Sequence, residues 1–179
     1  MVDELDVLQK ISEITHLNTI QDTLIPRSTG LLRLLRLGLL LSCIGWGISF
    51  WFMFASWDSV ADQFYDMGAG RIAYQPMLDY WMRMAGAGFG CIGIASGLAC
   101  LSPQLFRGVV FILGPFHLFV GIVLLASARS NHLDQAQHPT FVADITFCFV
   151  TATLITGSLT ASYINSKKKE ALQHAPSNR

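Results

Sequence analysis

Four long runs of apolar residues, none of which contains a charged side chain, dominate the chain at residues 37–57, 84–106, 108–128 and 145–166. A helix rises about 1.5 Å per residue, so about 20 such residues cross a hydrocarbon layer of about 30 Å. A bilayer offers no water to the peptide groups, so each run must form its backbone hydrogen bonds internally. The pattern predicts membrane-spanning helices over about residues 31–57, 81–102, 105–128 and 141–165.

Polar segments flank these runs and divide the chain into three parts. Residues 1–26 form the first part, in which apolar side chains occupy every third position from Val2 to Leu17 among charged ones, as is typical of a short helix with one apolar face. We expect this segment to lie on the cytoplasmic surface of the membrane, with a partner-binding helix as the alternative. Residues 27–166 form the four-pass domain, and residues 167–179 form a basic cytoplasmic tail.

The charges predict how the chain is oriented. If the spans alternate in direction, nine lysines and arginines lie on the side of the two termini and three on the other side, namely Arg71, Arg83 and Arg129. Basic residues near helix ends favour the cytoplasm, so both termini should be cytoplasmic. The predicted fold class is therefore an all-α integral membrane protein, a four-helix bundle with antiparallel up-down topology.

Composition agrees with this class and excludes others. Only 13% of the 179 residues are charged, whereas about a quarter are charged in a typical soluble domain. The formal net charge is zero, so nothing indicates a nucleic-acid partner. The partners that we expect are membrane lipids, together with a membrane-protein partner or further copies of this chain.

Small residues follow one side of each of the first two predicted spans. They are Gly38, Ser42, Gly45 and Ser49 in the first span, and Gly86, Gly90, Gly93 and Gly97 in the second. In lipid, helices associate through close backbone approach and van der Waals contact, which small side chains permit. We interpret both stripes as helix-packing surfaces. The alternative is that the small side chains leave a groove for a lipid tail or a quinone.

A candidate polar site combines Arg83, Asp79, Asp144 and His117. Arg83 and Asp79 share a helix face near the outer surface, and Asp144 enters the fourth span at a similar depth. An unpaired charge there would be costly, so we expect Arg83 to pair with Asp144 or with Asp79. This pair would be a structural clamp or, alternatively, an outward-facing site for an anion or a lipid headgroup.

His117 lies near the middle of the third span, close to Gly114 and Pro115. We expect a neutral imidazole bonded to a freed backbone carbonyl or to a hydroxyl of the fourth helix. Cys43, Cys91 and Cys148 have comparable depth, but no pair has the close sequence spacing of metal ligands. We therefore predict no metal, no cofactor and no catalytic residue.

The stretch from Tyr80 to Leu101, YWMRMAGAGFGCIGIASGLACL, places an arginine ahead of a glycine-rich apolar helix. It resembles the equivalent helix of small four-helix bacterial membrane proteins, the DoxX-like and related families. The resemblance covers this helix and the order of the spans. It implies a four-helix fold and a bacterial inner-membrane location, and it carries no activity to this chain.

Three functions are compatible with these observations. The leading hypothesis is a nonenzymatic integral membrane protein, either an accessory subunit or a binder of a lipid or small ligand. The second is a component of a membrane oxidoreductase that contacts a quinone or a lipid. The third is a small transporter that acts as an oligomer, although no acidic residue lies at mid-membrane to carry a proton.

Overall fold

A computed structural model of the chain describes residues 25–26 and 28–173, and every regular element among them is helical. The helices are α1 (Thr29–Gly47), α2 (Phe50–Phe54), α3 (Trp57–Asp66), α4 (Pro76–Leu101), α5 (Arg107–Ser130) and α6 (Phe141–Gln173). Four segments in this part of the chain are long and apolar enough to cross a membrane, and α1 with α2 forms the first of them. The all-helical, four-span architecture predicted from the sequence is present.

The first span is divided, which the sequence pattern did not predict. Helix α1 ends at Gly47, and Ile48 and Ser49 form a turn before α2 begins at Phe50. The amide of Ser49 donates to the carbonyl of Trp46, three residues earlier, which is the spacing of a 3₁₀ turn and one residue shorter than that of an α-helix. Glycine is a poor helix former, and the backbone of Gly47 lies directly against Gly93 of α4. The break therefore falls at a close contact between the backbones of the first and second spans.

Contacts between the long helices show how they run relative to one another. Gly38 and Gly45 of α1 lie against Ile155 and Phe147 of α6, so the order of contacts reverses and the pair is antiparallel. Helices α1 and α4 are antiparallel by the same criterion, as are α5 and α6. Helix α1 packs on both α4 and α6, whereas α4 and α5 touch less extensively. One end of the bundle thus carries the turn between α4 and α5, and we call it the hairpin end.

The apolar core lies toward the hairpin end. Its buried side chains come from all four long helices and from Ile25, and they are Ile25, Leu35, Leu39, Ala99, Val110, Leu113, Ile155 and Leu159. The outward faces of the same helices are also apolar, with leucine, isoleucine and phenylalanine exposed along their length. A soluble protein rarely exposes so much contiguous apolar surface, whereas lipid-facing helices need it.

The opposite end of the bundle, which we call the loop end, is covered by a structured segment. Helix α3 begins after Ser56, whose hydroxyl accepts a hydrogen bond from the amide of Ser59 across 3.3 Å. After α3 the chain turns at Gly68, whose φ of +94° favours glycine. A side chain there would collide with the backbone carbonyl of Gln137, so the two loops at this end are in contact. Pro76 then occupies the first turn of α4, where its missing amide hydrogen costs nothing.

Helix α6 (Phe141–Gln173) continues past the predicted span into the basic tail as far as the structure describes it. Residues 1–24, which hold nearly all of the predicted amphipathic segment, residue 27 and residues 174–179 lie outside the described part of the chain.

Candidate functional site

Arg83 joins α4 to the end of the first span. Its Nε donates to Oδ2 of Asp79 across 3.0 Å, one helical turn earlier. Its two terminal nitrogens donate to the backbone carbonyls of Met53 at 2.8 Å and Ala55 at 3.3 Å. These carbonyls lie at the carboxyl end of α2, where unsatisfied oxygens carry partial negative charge and favour a cation. The guanidinium therefore fastens α4 to α2 at the loop end.

Asp144, the other partner considered for Arg83, lies elsewhere. It occupies the first turn of α6, and its side chain is exposed. Among the described residues, its carboxylate forms no salt bridge, and Arg83 pairs with Asp79 instead. The Arg83 guanidinium already bonds to the Asp79 carboxylate and to two backbone carbonyls. This geometry favours the interpretation of Arg83 as a structural clamp over its interpretation as an outward-facing anion site.

His117 is fully buried, and both of its ring nitrogens have hydrogen-bond partners. The indole Nε1 of Trp46 lies 2.8 Å from Nε2 of the imidazole. An indole N–H can only donate, so Nε2 accepts and carries no hydrogen. Nδ1 then carries the hydrogen and donates to the carbonyl of Leu113, 2.7 Å away. These two bonds define a neutral imidazole in a single tautomer.

The sequence predicted a backbone partner for His117, but a different one. Pro115 lacks the amide hydrogen that would bond the carbonyl of Phe111, so that oxygen is the one the proline frees. His117 instead bonds the carbonyl of Leu113, one turn before it on the same helix. Trp46 was not considered as a partner, although a tryptophan in the middle of a span, away from the interface, needs an acceptor for its N–H.

Trp46 lies at the centre of an aromatic cluster drawn from all four spans. Ring centroids of Phe89 in α4, Phe116 in α5 and Phe147 in α6 lie 5.1, 5.5 and 6.4 Å from that of the indole. Tilted and edge-on arrangements at these distances are the favourable ones for aromatic pairs. This cluster lies between the aliphatic core and the loop end, with Phe89 exposed on its outer side, and it places Trp46 beside Phe147.

The arrangement offers no metal site within residues 25–26 and 28–173. The structure brings no group of three histidine, cysteine, aspartate or glutamate side chains together there. Cys43 lies against Gly97 and Cys148 against Gly121, on different helix pairs. Both nitrogens of His117 are already engaged, so a ligand role would require breaking the bond from Trp46.

The small residues of α4 lie in close contact with the first span. A side chain added at Gly93 would come within 2.5 Å of the backbone nitrogen of Gly47, and one at Gly86 within 2.9 Å of the carbonyl of Ser49. Gly90 lies under the ring of Phe50. Gly97 has more room, with Cys43 Sγ at 3.0 Å from the position of an added Cβ. Gly86, Gly90 and Gly93 are therefore covered by the first span.

The stripe of the first span faces two different helices. Gly38 and Gly45 lie against Ile155 and Phe147 of α6, as described above. Ser42 turns to α4, where its hydroxyl lies 2.7 Å from that of Ser96, and both are buried. Ser96 donates its hydrogen to the carbonyl of Ile92, so Ser42 is the donor to Ser96. The two stripes therefore do not meet along their length as a single interface.

Three hydroxyl groups of α6 bond to the helix itself. Thr153, Ser158 and Ser166 donate to the carbonyls four residues earlier at 2.8, 2.6 and 3.1 Å. Thr151 differs, because it is fully buried and its hydroxyl oxygen has no partner in the described structure. A buried hydroxyl without a hydrogen bond costs about 1–3 kcal/mol, so Thr151 is an unfavourable position within the packing of α6.

Thr151 lines an open cavity of about 500 Å³ on the surface of α1 and α6. We call this cavity the α1–α6 groove. Its wall is mainly apolar, and the loop after α5 forms its mouth. Residues that define it are Leu41 of α1, Gln135 of the loop, and Val142, Phe147, Val150 and Thr151 of α6. The groove adjoins the contact of Gly45 with Phe147, so it borders the stripe of the first span, and none of the glycines of α4 is among its lining residues.

The four spans and the apolar outer surface define a multi-pass membrane protein. No family model, no curated protein and no solved structure matches the chain. The resemblance of the second span to the DoxX-like families therefore stays a prediction, and the geometry alone supports the functional proposal.

Proposed function

We propose that the protein is a nonenzymatic integral membrane protein that binds one membrane lipid in the α1–α6 groove. The observation that supports this most directly is the open cavity of about 500 Å³, whose lining is mainly apolar and includes the polar side chains Gln135 and Thr146. Ligand pockets are commonly apolar concavities of this size with a few polar groups that set orientation.

The position of the groove suits one leaflet of a bilayer. Ten residues separate Phe141, where α6 begins, from Thr151, and they span about 15 Å of helix. A hydrocarbon core is about 30 Å thick, so this distance equals about one leaflet. An apolar chain would enter at Gln135 and reach Thr151 near the middle of the membrane.

The other polar groups of the bundle support binding rather than catalysis. Arg83 is held by Asp79 and two carbonyls, and His117 by Trp46 and Leu113. Each of these groups stabilises a contact between helices, which is the role of a scaffold. An accessory subunit of a larger membrane assembly would use the same scaffold.

For the orientation, we propose cytoplasmic termini and a bacterial inner membrane. The excess of basic residues on the side of the hairpin end and the tail supports this. The mouth of the groove would then open toward the outer leaflet.

Trp46 is a built-in reporter for a lipid in the groove, because its ring lies 6.4 Å from that of Phe147 in the groove wall. Replacing Trp51, Trp57 and Trp81 by phenylalanine leaves Trp46 as the one fluorophore of its kind. In vesicles of phosphatidylcholine with brominated acyl chains, we expect short-range quenching of Trp46. Native mass spectrometry should show one retained phospholipid per chain.

A matched pair of variants separates groove binding from general contact with lipid. Ala143→Phe fills the groove and should reduce both the quenching and the retained phospholipid. Ala126→Phe adds the same ring at an exposed position of α5 outside the groove and should change neither. Equal behaviour of the two variants, or a purified protein without lipid and with its groove covered by a second copy, would refute the proposal.

A further inference from the structure

The charges of the bundle are divided between its two ends. All the aspartates of the described residues lie at the loop end, and they are Asp58, Asp62, Asp66, Asp79, Asp134 and Asp144. The hairpin end carries the cations Arg33, Arg36, Arg107, Lys167 and Lys168. The one carboxylate side chain described at this end belongs to Glu170, near the end of α6. The hairpin end is therefore a cationic surface at one side of the bilayer.

Arg33 and Arg36 differ from the other cations because they belong to the outward side of α1. They lie three residues apart, about one helical turn, and both are exposed. Neither side chain forms a salt bridge or a hydrogen bond with any residue that the structure describes. The thiol of Cys100 donates to the carbonyl of Arg36 across 3.4 Å, which places Arg36 level with the end of α4. Two charges without a protein partner thus lie where the spans meet the headgroup layer.

An apolar strip continues from the two arginines along the same side of α1. Leu37, Leu40 and Ile44 follow Arg33 at steps of four, three and four residues, so they share its helix face. All three are exposed. About 12 Å of helix separates Arg36 from Ile44, which fits within one leaflet of about 15 Å. In a bilayer, the molecule that lies along such a strip is a lipid, and its phosphate lies level with the arginines.

We propose that Arg33 and Arg36 bind the headgroup of an anionic phospholipid in the leaflet at the hairpin end, while its acyl chains lie along Leu37, Leu40 and Ile44. A guanidinium presents donors in a planar fork that matches phosphate oxygens. A lipid with a net negative charge is attracted by every cation of this end. A zwitterionic lipid gains less, because it brings a cation of its own beside the phosphate. The site lies in the other leaflet from the mouth of the α1–α6 groove and does not depend on that groove.

The test compares phosphatidylglycerol with phosphatidylcholine that has the same acyl chains. Each lipid is titrated against the purified protein, and binding is counted by native mass spectrometry. The Ala143→Phe variant is used, so that a lipid in the α1–α6 groove does not contribute. We expect phosphatidylglycerol to bind about 10-fold more tightly than phosphatidylcholine. This preference should decrease as the ionic strength rises.

Three double variants connect the preference to the two arginines. Arg33→Gln with Arg36→Gln should abolish the preference and leave the affinity for phosphatidylcholine unchanged. Its thermal unfolding without added lipid should match that of the parent, since both side chains are exposed. Arg33→Lys with Arg36→Lys keeps the charge without the fork and should retain part of the preference. Lys167→Gln with Lys168→Gln removes the same charge from the same end and should retain all of it.

Equal affinities of the parent for the two lipids would overturn this inference. An equal loss in the arginine and lysine variants would also overturn it, because general attraction to a cationic surface would then explain the preference. The competing occupant is the acidic part of the chain that precedes the described residues, with Asp3, Glu4, Asp6, Glu13 and Asp22. If a preference arose only after these five carboxylates were changed to amides, that segment would be the occupant and the inference would be wrong. None of these results affects the quenching of Trp46 by brominated lipid, which tests the groove alone.

Discussion

Trp46 donates its indole N–H to Nε2 of His117 across 2.8 Å in the interior of the bundle. The two residues belong to α1 and α5, and each of these helices packs extensively on α6. The bond thus connects the two helices across the bundle, and it fixes the imidazole in one neutral tautomer. It also holds the indole beside Phe147, in the wall of the α1–α6 groove.

Trp46→Phe should destabilise the protein. The substitution keeps a ring in the aromatic cluster but leaves the fully buried Nε2 of His117 without a donor, at a cost of about 1–3 kcal/mol. We expect a lower midpoint of thermal unfolding in detergent, measured by circular dichroism. Trp51→Phe is the control, since Trp51 is 54% exposed on the lipid-facing surface. If both variants unfold at the same temperature, the bond contributes nothing to stability.

Gly93→Ala should weaken the contact between α4 and the first span. Its new methyl group would lie 2.5 Å from the backbone nitrogen of Gly47 and 2.7 Å from its Cα, so the helices would have to separate. Overpacking of this kind costs about 1–3 kcal/mol. Unfolding in increasing dodecyl sulfate measures the loss.

Gly88→Ala provides the matched control for Gly93→Ala. Gly88 lies on the same helix, and nothing lies within 4 Å of an added Cβ there. Alanine is the better helix former, so this variant should be as stable as the parent protein or more so. A loss of stability in Gly88→Ala equal to that in Gly93→Ala would show that close approach at Gly93 is not what matters.

The positions of the four spans could be predicted from the sequence, because the hydropathy and length of a segment depend only on its local composition. The runs of apolar residues identified all four spans. The turn at Ile48 and Ser49 was not predictable, since it depends on contact between Gly47 and Gly93, which lie far apart in the sequence. Hydropathy does not report such tertiary contacts.

Less of the candidate site could be predicted from the sequence, since its contacts depend on which helices become neighbours. Arg83 and Asp79 share one helix, so their pairing could be anticipated from the spacing of four residues. The bond between Trp46 and His117 joins two distant spans, and no local pattern encodes it. Thr151 looked like any other hydroxyl of the fourth span until its lack of a partner became visible in the structure.

Arg83→Gln should loosen the loop end of the bundle. Glutamine is uncharged and cannot form an ion pair with Asp79. Its side chain has one amide nitrogen, whereas Arg83 uses two guanidinium nitrogens to donate to the carbonyls of Met53 and Ala55. We expect faster amide hydrogen exchange in residues 50–60 and a lower midpoint of thermal unfolding. Exchange should be unchanged at the hairpin end.

Arg71→Gln is the control for Arg83→Gln, because it removes an arginine from the same side of the bundle. Arg71 lies over the ring of Tyr65 at 5.3 Å, an exposed contact that contributes about 0.5–1 kcal/mol. An effect of Arg83→Gln on exchange no larger than that of Arg71→Gln would count against the clamp.

Single cysteines at the two ends of the bundle should react from opposite sides of the membrane. Ala136 lies in the loop between α5 and α6, and Gln104 in the turn between α4 and α5, and both are exposed. With the native cysteines replaced by alanine, an impermeant maleimide added to intact cells should label Ala136→Cys. Gln104→Cys should react after permeabilisation only.

The reverse labelling pattern would overturn the proposed orientation. Labelling of both positions from one side would overturn the assignment of membrane-crossing spans between them. The cysteines to be replaced are Cys43, Cys91, Cys100 and Cys148.

The hydrogen bond between Ser42 and Ser96 should couple α1 and α4 measurably but modestly. Their hydroxyl oxygens lie 2.7 Å apart and are buried, yet bonds of this type between membrane helices average only about 0.6 kcal/mol in double-mutant cycles. Ser42→Ala, Ser96→Ala and the double variant, unfolded in dodecyl sulfate, give the coupling free energy. Because Ser96 also donates to the carbonyl of Ile92, Ser96→Ala removes that second bond, and its contribution cancels in the cycle.

The size of the coupling free energy between Ser42 and Ser96 then decides between two accounts of the α1–α4 interface. A value near 0.6 kcal/mol leaves close approach at Gly86 and Gly93 as the main attraction between the helices, whereas a value several times larger would make the serine pair the dominant one.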